Sequence, residues 1–196
     1  MIAGHFGLAA AVKARTPSIP TWTLMLACQW LDVIFIPLFL TGVERIEAVA
    51  GTQAGAYGGS IIYADYTHSL VGAALLAALF GGLAALRYGR RAGLVLALVA
   101  ASHWLLDLPM HRADLPILPG NAGHLPRLGF GLWRSSVGSA LLELALVATG
   151  AALYWRAASR AAATSADPAV RRRARLCGAS VLAAGVLTLG LNVIGM

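Results

Sequence analysis

The stretch SHWLLDLPMH, residues 102–111, closes a long apolar run and carries His103, Asp107 and His111 at four-residue intervals. Steps of four residues advance about 40° around an α-helix, so the three side chains share one face. Imidazoles and a carboxylate on one face form a ligand set for a divalent cation such as zinc, manganese or iron. Pro109 predicts a distortion in the turn that leads to His111. Four more ionisable side chains, His5, Asp32, His68 and Glu143, also fall within apolar segments. Each is costly in a bilayer and is therefore a functional candidate. Taken singly, each has a structural alternative: His103 as a core histidine bonded to a carbonyl, Asp32 or Glu143 as a neutral acid paired with Ser or Thr across helices. Several such placements together favour one shared site.

The elements that must position these residues are apolar helices. The chain of 196 residues is 59% hydrophobic and 12% charged, whereas soluble domains carry about 25% charged residues. Five segments, about 20–42, 66–87, 91–110, 135–156 and 175–195, are each long enough to span a bilayer. A shorter one, about 3–14, reads as a half-helix. The expected fold is all-α: a polytopic membrane helix bundle of five transmembrane helices plus a short N-terminal half-helix. It is read as one membrane-embedded domain over 1–196, with the metal-site region at about 1–145 and the C-terminal helix at about 175–195. The first residues lack a basic region ahead of their apolar stretch, so a cleaved signal peptide is not expected. Basic residues concentrate before residue 20, at RYGRR (87–91) and at 156–175, where Arg156, Arg160, Arg171, Arg172, Arg173 and Arg175 face a single Asp167. The positive-inside rule makes these segments cytoplasmic and turns the loops 43–65 and 111–134 outward. The formal net charge of +7 is thereby accounted for without a nucleic-acid partner.

Depth supports convergence. Counted from each helix's cytoplasmic end at ~1.5 Å per residue, Asp32 and His103 come to roughly 18 Å, Glu143 to roughly 20 Å, Asp107 to roughly 24 Å and His68 to roughly 28 Å. His5, on the short helix, reaches about 12 Å. Residues of four spanning helices thus fall in the outer half of the membrane, and the half-helix points toward them.

Three stretches, AGHFGLAAA (3–11), YTHSL (66–70) and SHWLLD (102–107), resemble the bacterial inner-membrane family described as LexA-binding-type metal-dependent hydrolases. Order and approximate spacing match over about residues 3–115, and the C-terminal half matches in apolar character alone. That family is distantly similar to zinc-dependent phospholipase C and P1-type nucleases, helical phosphoesterases whose His and Asp residues hold a metal cluster. Carried over by position, the resemblance implies a ligand set of His5, Asp32, His68 beside Thr67, His103 and Asp107. The chain departs from the pattern where a second Asp and a His would stand, at Ile34 and Phe35, and where His-Arg-Gly would stand, at Tyr63, Ala64 and Asp65. His111, Asp65 or Glu143 are the available substitutes, and one or two metal ions are expected rather than three.

The resulting expectation is a metal-dependent hydrolase of the bacterial inner membrane, multi-pass, with its site open to the extracytoplasmic side. Its substrate would be a phosphate ester, on a membrane lipid or a small molecule. Metal ligands would be His5, Asp32, His68, His103, Asp107 and His111, with zinc the first choice of ion. Asp65 or Glu143 would be the general base, and Arg112, Arg127 and Arg134 of the Pro/Gly-rich loop would hold phosphate by forked hydrogen bonds, with interfacial snorkelling as the alternative. Two other classes could use the same residues: a transporter moving protons or cations, and a haem protein with paired histidines. The absence of a visible repeat weighs against the first, and the surrounding carboxylates weigh against the second.

Overall fold

The computed structural model describes residues 1–50 and 58–194, apart from the side chains of residues 174, 175, 178 and 191–194. Residues 51–57 of the loop expected at 43–65, the Arg175 side chain and the last residue of the C-terminal segment lie outside the described residues. The described residues include seven α-helices: α1 (Ile2–Lys13), α2 (Thr21–Cys28), α3 (Trp30–Leu40), α4 (Leu70–Tyr88), α5 (Arg90–Met110), α6 (Ser136–Ala163) and α7 (Pro168–Ile194). Their boundaries follow local chemistry. Ser69 caps α4 by accepting from Gly72 N at 3.0 Å, and Ser135 caps α6 by accepting from Gly138 N at 3.1 Å. Pro168 opens α7 just after Asp167, whose Oδ1 accepts from Ala169 N at 2.8 Å. Gly89, at φ 85°, divides α4 from α5.

Helix dominates as expected, and α4, α5 and α6 are each long and apolar enough to cross a membrane. The segment 20–42 differs from the single rod anticipated: it is bent by 53° between α2 and α3. The bend lies at Gln29 (φ −111°, ψ 10°), a polar residue whose side-chain amide leaves the helix line to donate to Ile2 O on α1 at 3.1 Å. Counting this bent pair as one span gives up to four. The fifth expected span corresponds to α7. Its described residues include the apolar stretch Ala179–Gly190. The loop before α7 shrinks to residues 164–167, so Arg156, Arg160 and Arg171 to Arg173 lie exposed on helix ends. One feature falls outside the all-helical expectation: β1 (Arg45–Ala48) and β2 (Ser60–Tyr63) form an antiparallel hairpin in which Arg45 pairs with Tyr63 and Ala48 with Ser60.

Small residues let the helices approach closely. A Cβ on Gly81 or Gly93 would overlap backbone across the α4–α5 interface. α1 lies against α6 with equal closeness, because a Cβ on Gly150 would strike the Gly7 carbonyl. An apolar core that includes Ala9, Leu24, Ala27, Phe80, Leu96 and Val99 then locks α1, α2, α4 and α5 together. This packing fixes where the first turns of α1 point.

Gly150→Ala is therefore expected to push α1 off α6 and lower stability by about 1–3 kcal/mol, the usual cost of overpacking. Gly82→Ala, with nothing within 4 Å of the added methyl, is expected to be neutral or slightly stabilising. Thermal unfolding of the two variants in the same detergent compares them, and equal midpoints would refute this account of the interface.

Candidate metal centre

Several elements deliver their polar side chains to one end of the bundle. α1 supplies His5, the first turn of α3 supplies Asp32, and the chain just before α4 supplies His68. The last turns of α5 supply His103 and Asp107, and His111 caps that helix. Pro109 does not swing His111 away, because His111 N still donates to Asp107 O at 2.8 Å. Asp107 sits at the centre. Its Oδ1 is 3.2 Å from His5 Nε2, and its Oδ2 is 3.1 Å from His103 Nε2, 3.7 Å from His111 Nε2 and 3.8 Å from His68 Nε2. Asp32 Oδ1 stands 3.4 Å from His68 Nε2 and 3.6 Å from His103 Nε2. His68 Nε2 and His103 Nε2 face each other at 3.3 Å, and the His5 and His103 rings stack with centroids 3.8 Å apart. The α-amino group of Met1 lies 3.6 Å from Asp107 Oδ1. All six expected ligands converge. Five are buried, and the Asp32 side chain alone keeps substantial exposure, at 36%.

Proton accounting explains why this cluster suits a cation. His103 Nδ1 lies 2.7 Å from Cys28 O, an acceptor only, so Nδ1 carries the proton and Nε2 presents a lone pair. His111 Nδ1 is likewise 2.9 Å from Asp114 Oδ1. For His68 the chain is one link longer. Glu44 accepts from Tyr66 N and Thr67 N at 2.8 Å each, and takes the Thr67 hydroxyl proton at 2.9 Å. Thr67 Oγ1 then accepts from His68 Nδ1 at 2.9 Å, which again turns a lone pair inward at Nε2. Three imidazole lone pairs thus face two carboxylates. Outer acceptors that fix a histidine tautomer in this way are the usual companions of metal-binding histidines.

The spacing agrees with the chemistry. With bonds of ~2.0–2.1 Å, ligands on one tetrahedral zinc ion lie about 3.3 Å apart. The triad His5, His103 and Asp107 and the triad Asp32, His68 and His103 each keep their ligand atoms within 4.8 Å of one another, and they share His103. This buried His/Asp cluster has the donors and the spacing to hold a metal ion.

The remaining expected residues are placed differently. Glu143 is buried on α6, where its Oε2 accepts from Gly4 N at 3.1 Å and steadies the start of α1. Asp65 and Arg127, anticipated as base and phosphate ligand, bind each other in a two-pronged ion pair at 2.7 and 3.1 Å. The Asp65 hydrogen bond raises the Arg127 pKa above its ordinary value. Arg112 donates to Gly58 O at 2.6 Å, and Arg134 is exposed. None of these three arginines, nor Asp65, is among the residues lining the cavity that opens over the cluster. That cavity, about 550 Å³, has Asp32, His68, Asp107, His111 and Glu143 among its lining and is otherwise mainly apolar.

Sequence reading did not single out Glu44 and Asp114, both buried and both holding a cluster histidine. Asp114 also accepts from Ile62 N at 3.2 Å, which ties the hairpin to the cluster. A histidine three residues before an acid, as in His111 and Asp114, was the available signal for one of them. Glu44 lies 23 residues before Thr67 in the chain and leaves no local trace. Comparison with known protein families, with curated proteins and with solved structures finds no match.

Glu44→Gln and Asp114→Asn keep the shape of the partners but weaken their hold on the histidine protons. Each is expected to lower affinity for a divalent metal ion about 10–100-fold without removing a ligand. Titration against a competing chelator measures this, and unchanged affinity in both variants would refute the assigned tautomers.

Proposed function

We propose that the chain is a membrane-embedded, metal-dependent hydrolase that cleaves a phosphate ester, with zinc as the resident ion at one or two positions. The reading places it in a bacterial inner membrane with the cavity facing the extracytoplasmic side. One observation carries it: inward-facing imidazole lone pairs and carboxylates converge at the floor of a cavity large enough for a small-molecule ligand. The family resemblance of residues 3–115 points the same way.

Under this proposal Asp107 and His103 anchor the ion, with His5 on one side and Asp32 with His68 on the other. A bound divalent ion lowers the pKa of its water and neutralises charge developing on phosphoryl oxygens. Hydrolysis joins the oxygen of water to phosphorus and breaks the bond to the alcohol, which leaves with a proton. Glu143 lines the cavity and is assigned to hold the proton in transit, since Asp65 is committed to Arg127. No arginine or lysine is among the described residues lining the cavity. Recognition of the ester's charge therefore falls to the bound cation rather than to Arg112, Arg127 or Arg134.

A second reading, a cation or proton transporter, has one observation in its favour: the helix break at Gln29 lies one turn from Asp32. Metal-independent ion flux in proteoliposomes would support it over hydrolysis.

Protein purified in detergent is expected to retain about one to two zinc ions per chain, the number a single buried triad or two overlapping triads would hold. His68→Ala and Asp107→Ala are expected to lose that metal and to lower phosphoesterase activity by about 10² or more. Activity that survives both chelation and Asp107→Ala would sink the hydrolase reading. Glu143→Gln is expected to slow turnover about 10²-fold with metal content intact. Asp65→Asn is expected to leave turnover unchanged and to loosen only the Arg127 contact, at about 0.5–1 kcal/mol. The reverse pattern between these two variants would reassign the base.

A further inference from the structure

The walls of the cavity differ in kind from its floor. Phe6, Val33, Phe35, Ile36, Ile46 and Trp133 stand over the polar cluster. Several lining residues are also open to the exterior: Ile2 is 47% exposed, Val33 38%, Ile36 55% and Ile46 42%. The mouth of the cavity is thus an apolar rim between α1, α3 and the hairpin. On α3 the rim continues as a stripe, Val33, Ile36 and Leu40, at spacings of three and four residues. A mouth that admits water-soluble phosphates would gain from polar or cationic side chains. This one offers Gln29, already bonded to Ile2 O, and Ser60.

We infer that the substrate is an amphiphile whose single hydrocarbon chain lies in this cavity, with its polar ester at the His/Asp cluster, and that it enters sideways from the bilayer across the Val33–Ile36 rim. The inference rests on the hydrolase reading and names its substrate class. Three features select a hydrocarbon chain as occupant. The wall is mainly apolar, the rim is continuous with an exposed apolar helix face, and most of the polar groups among the described lining residues lie at the reactive floor. About 550 Å³ falls in the range of pockets that enclose one drug-sized ligand, which matches one chain with its polar group and excludes enclosure of a whole two-chain lipid. The step is the hydrolysis already written: water supplies the oxygen bound to phosphorus, and the alcohol departs with a proton.

The test has a kinetic arm and a binding arm, both on full-length zinc-loaded protein. In the first, 4-nitrophenyl alkyl phosphodiesters with chains of two, six and ten carbons are compared below their micellar concentrations. kcat/KM is expected to rise by about fourfold per methylene while the chain is shorter than the cavity. Ile36→Trp, which narrows the rim, is expected to flatten that rise, so that the ratio of ten-carbon to two-carbon kcat/KM falls by about tenfold or more. In the second arm, a ten-carbon alkyl phosphate tipped with a photoreactive diazirine is irradiated in nanodiscs and its adducts are mapped. Labelling is expected to concentrate on Phe6, Ile36 and Ile46, and to be displaced by unlabelled alkyl phosphate. Hydrolysis of the two-carbon and ten-carbon esters at equal kcat/KM, with labelling spread over the outward faces of α4 and α5, would overturn the inference and leave the hydrolase reading standing. Displaceable labelling of the rim without turnover of any ester would uphold the chain-binding site and remove the hydrolase.

Discussion

Three histidines in this bundle have their Nδ1 protons committed outward, to Cys28 O, to Thr67 and to Asp114, and the rest of the site depends on that constraint. Their Nε2 lone pairs have nowhere to turn but toward Asp32, Asp107 and one another. Lone pairs facing carboxylates in a largely buried cluster repel one another, and an acceptor left without a donor there costs about 1–3 kcal/mol. A divalent cation held by either triad would turn such repulsions into metal–ligand bonds.

The fold meets this demand where its regular structure stops. His68 precedes α4, His111 ends α5, and the bend at Gln29 leaves the Cys28 carbonyl available to His103 instead of to the next helical turn. Glu44, just before β1, and Asp114, in the loop after α5, reach the cluster histidines. Non-helical backbone of this kind is tolerated beside apolar helices when it is buried against protein or lines a cavity, and here it does both. α1 is the exception, a regular helix whose short length brings its first turns to the cluster rather than past it. Its glycine contact with α6 and the Gly4 bond to Glu143 set the position of His5.

This division also marks what was legible in the sequence. The ligands on helices could be read: a four-residue repeat gave His103, Asp107 and His111 a common face, depth counting brought Asp32 level with His103, and the half-helix pointed His5 toward them. Such periodicity depends only on helix geometry, which the local sequence dictates. The outer partners could not be read. Glu44 and Thr67 meet across a hairpin, and whether a loop carboxylate turns inward is decided by contacts far away in the chain. The arginines illustrate the same limit. Arg127 has the right chemistry for phosphate, but its position beside Asp65 and under Tyr63, with the guanidinium 5.6 Å from the ring centre, commits it to the hairpin. The 20–42 segment was legible as apolar and illegible as bent, because one Gln barely lowers the mean hydropathy and yet finds a partner on α1.

The placement of charge then limits what chemistry the cavity can support. Arg45 pairs with Glu47 and Arg127 with Asp65, both near the hairpin, while Arg112 is spent on the Gly58 carbonyl. These cations brace the segments that carry Glu44, His68, His111 and Asp114, so they act on the cluster through geometry and not through contact with a ligand. What faces the cavity is mainly a set of imidazoles and carboxylates, with the Met1 α-amino group beside Asp107 and largely apolar walls around it. Such a surface repels an anionic ester until a cation is bound, and attracts it afterwards. Under the proposed function, metal occupancy and substrate binding would be coupled by the same few side chains, and the apolar wall would select which esters come within reach.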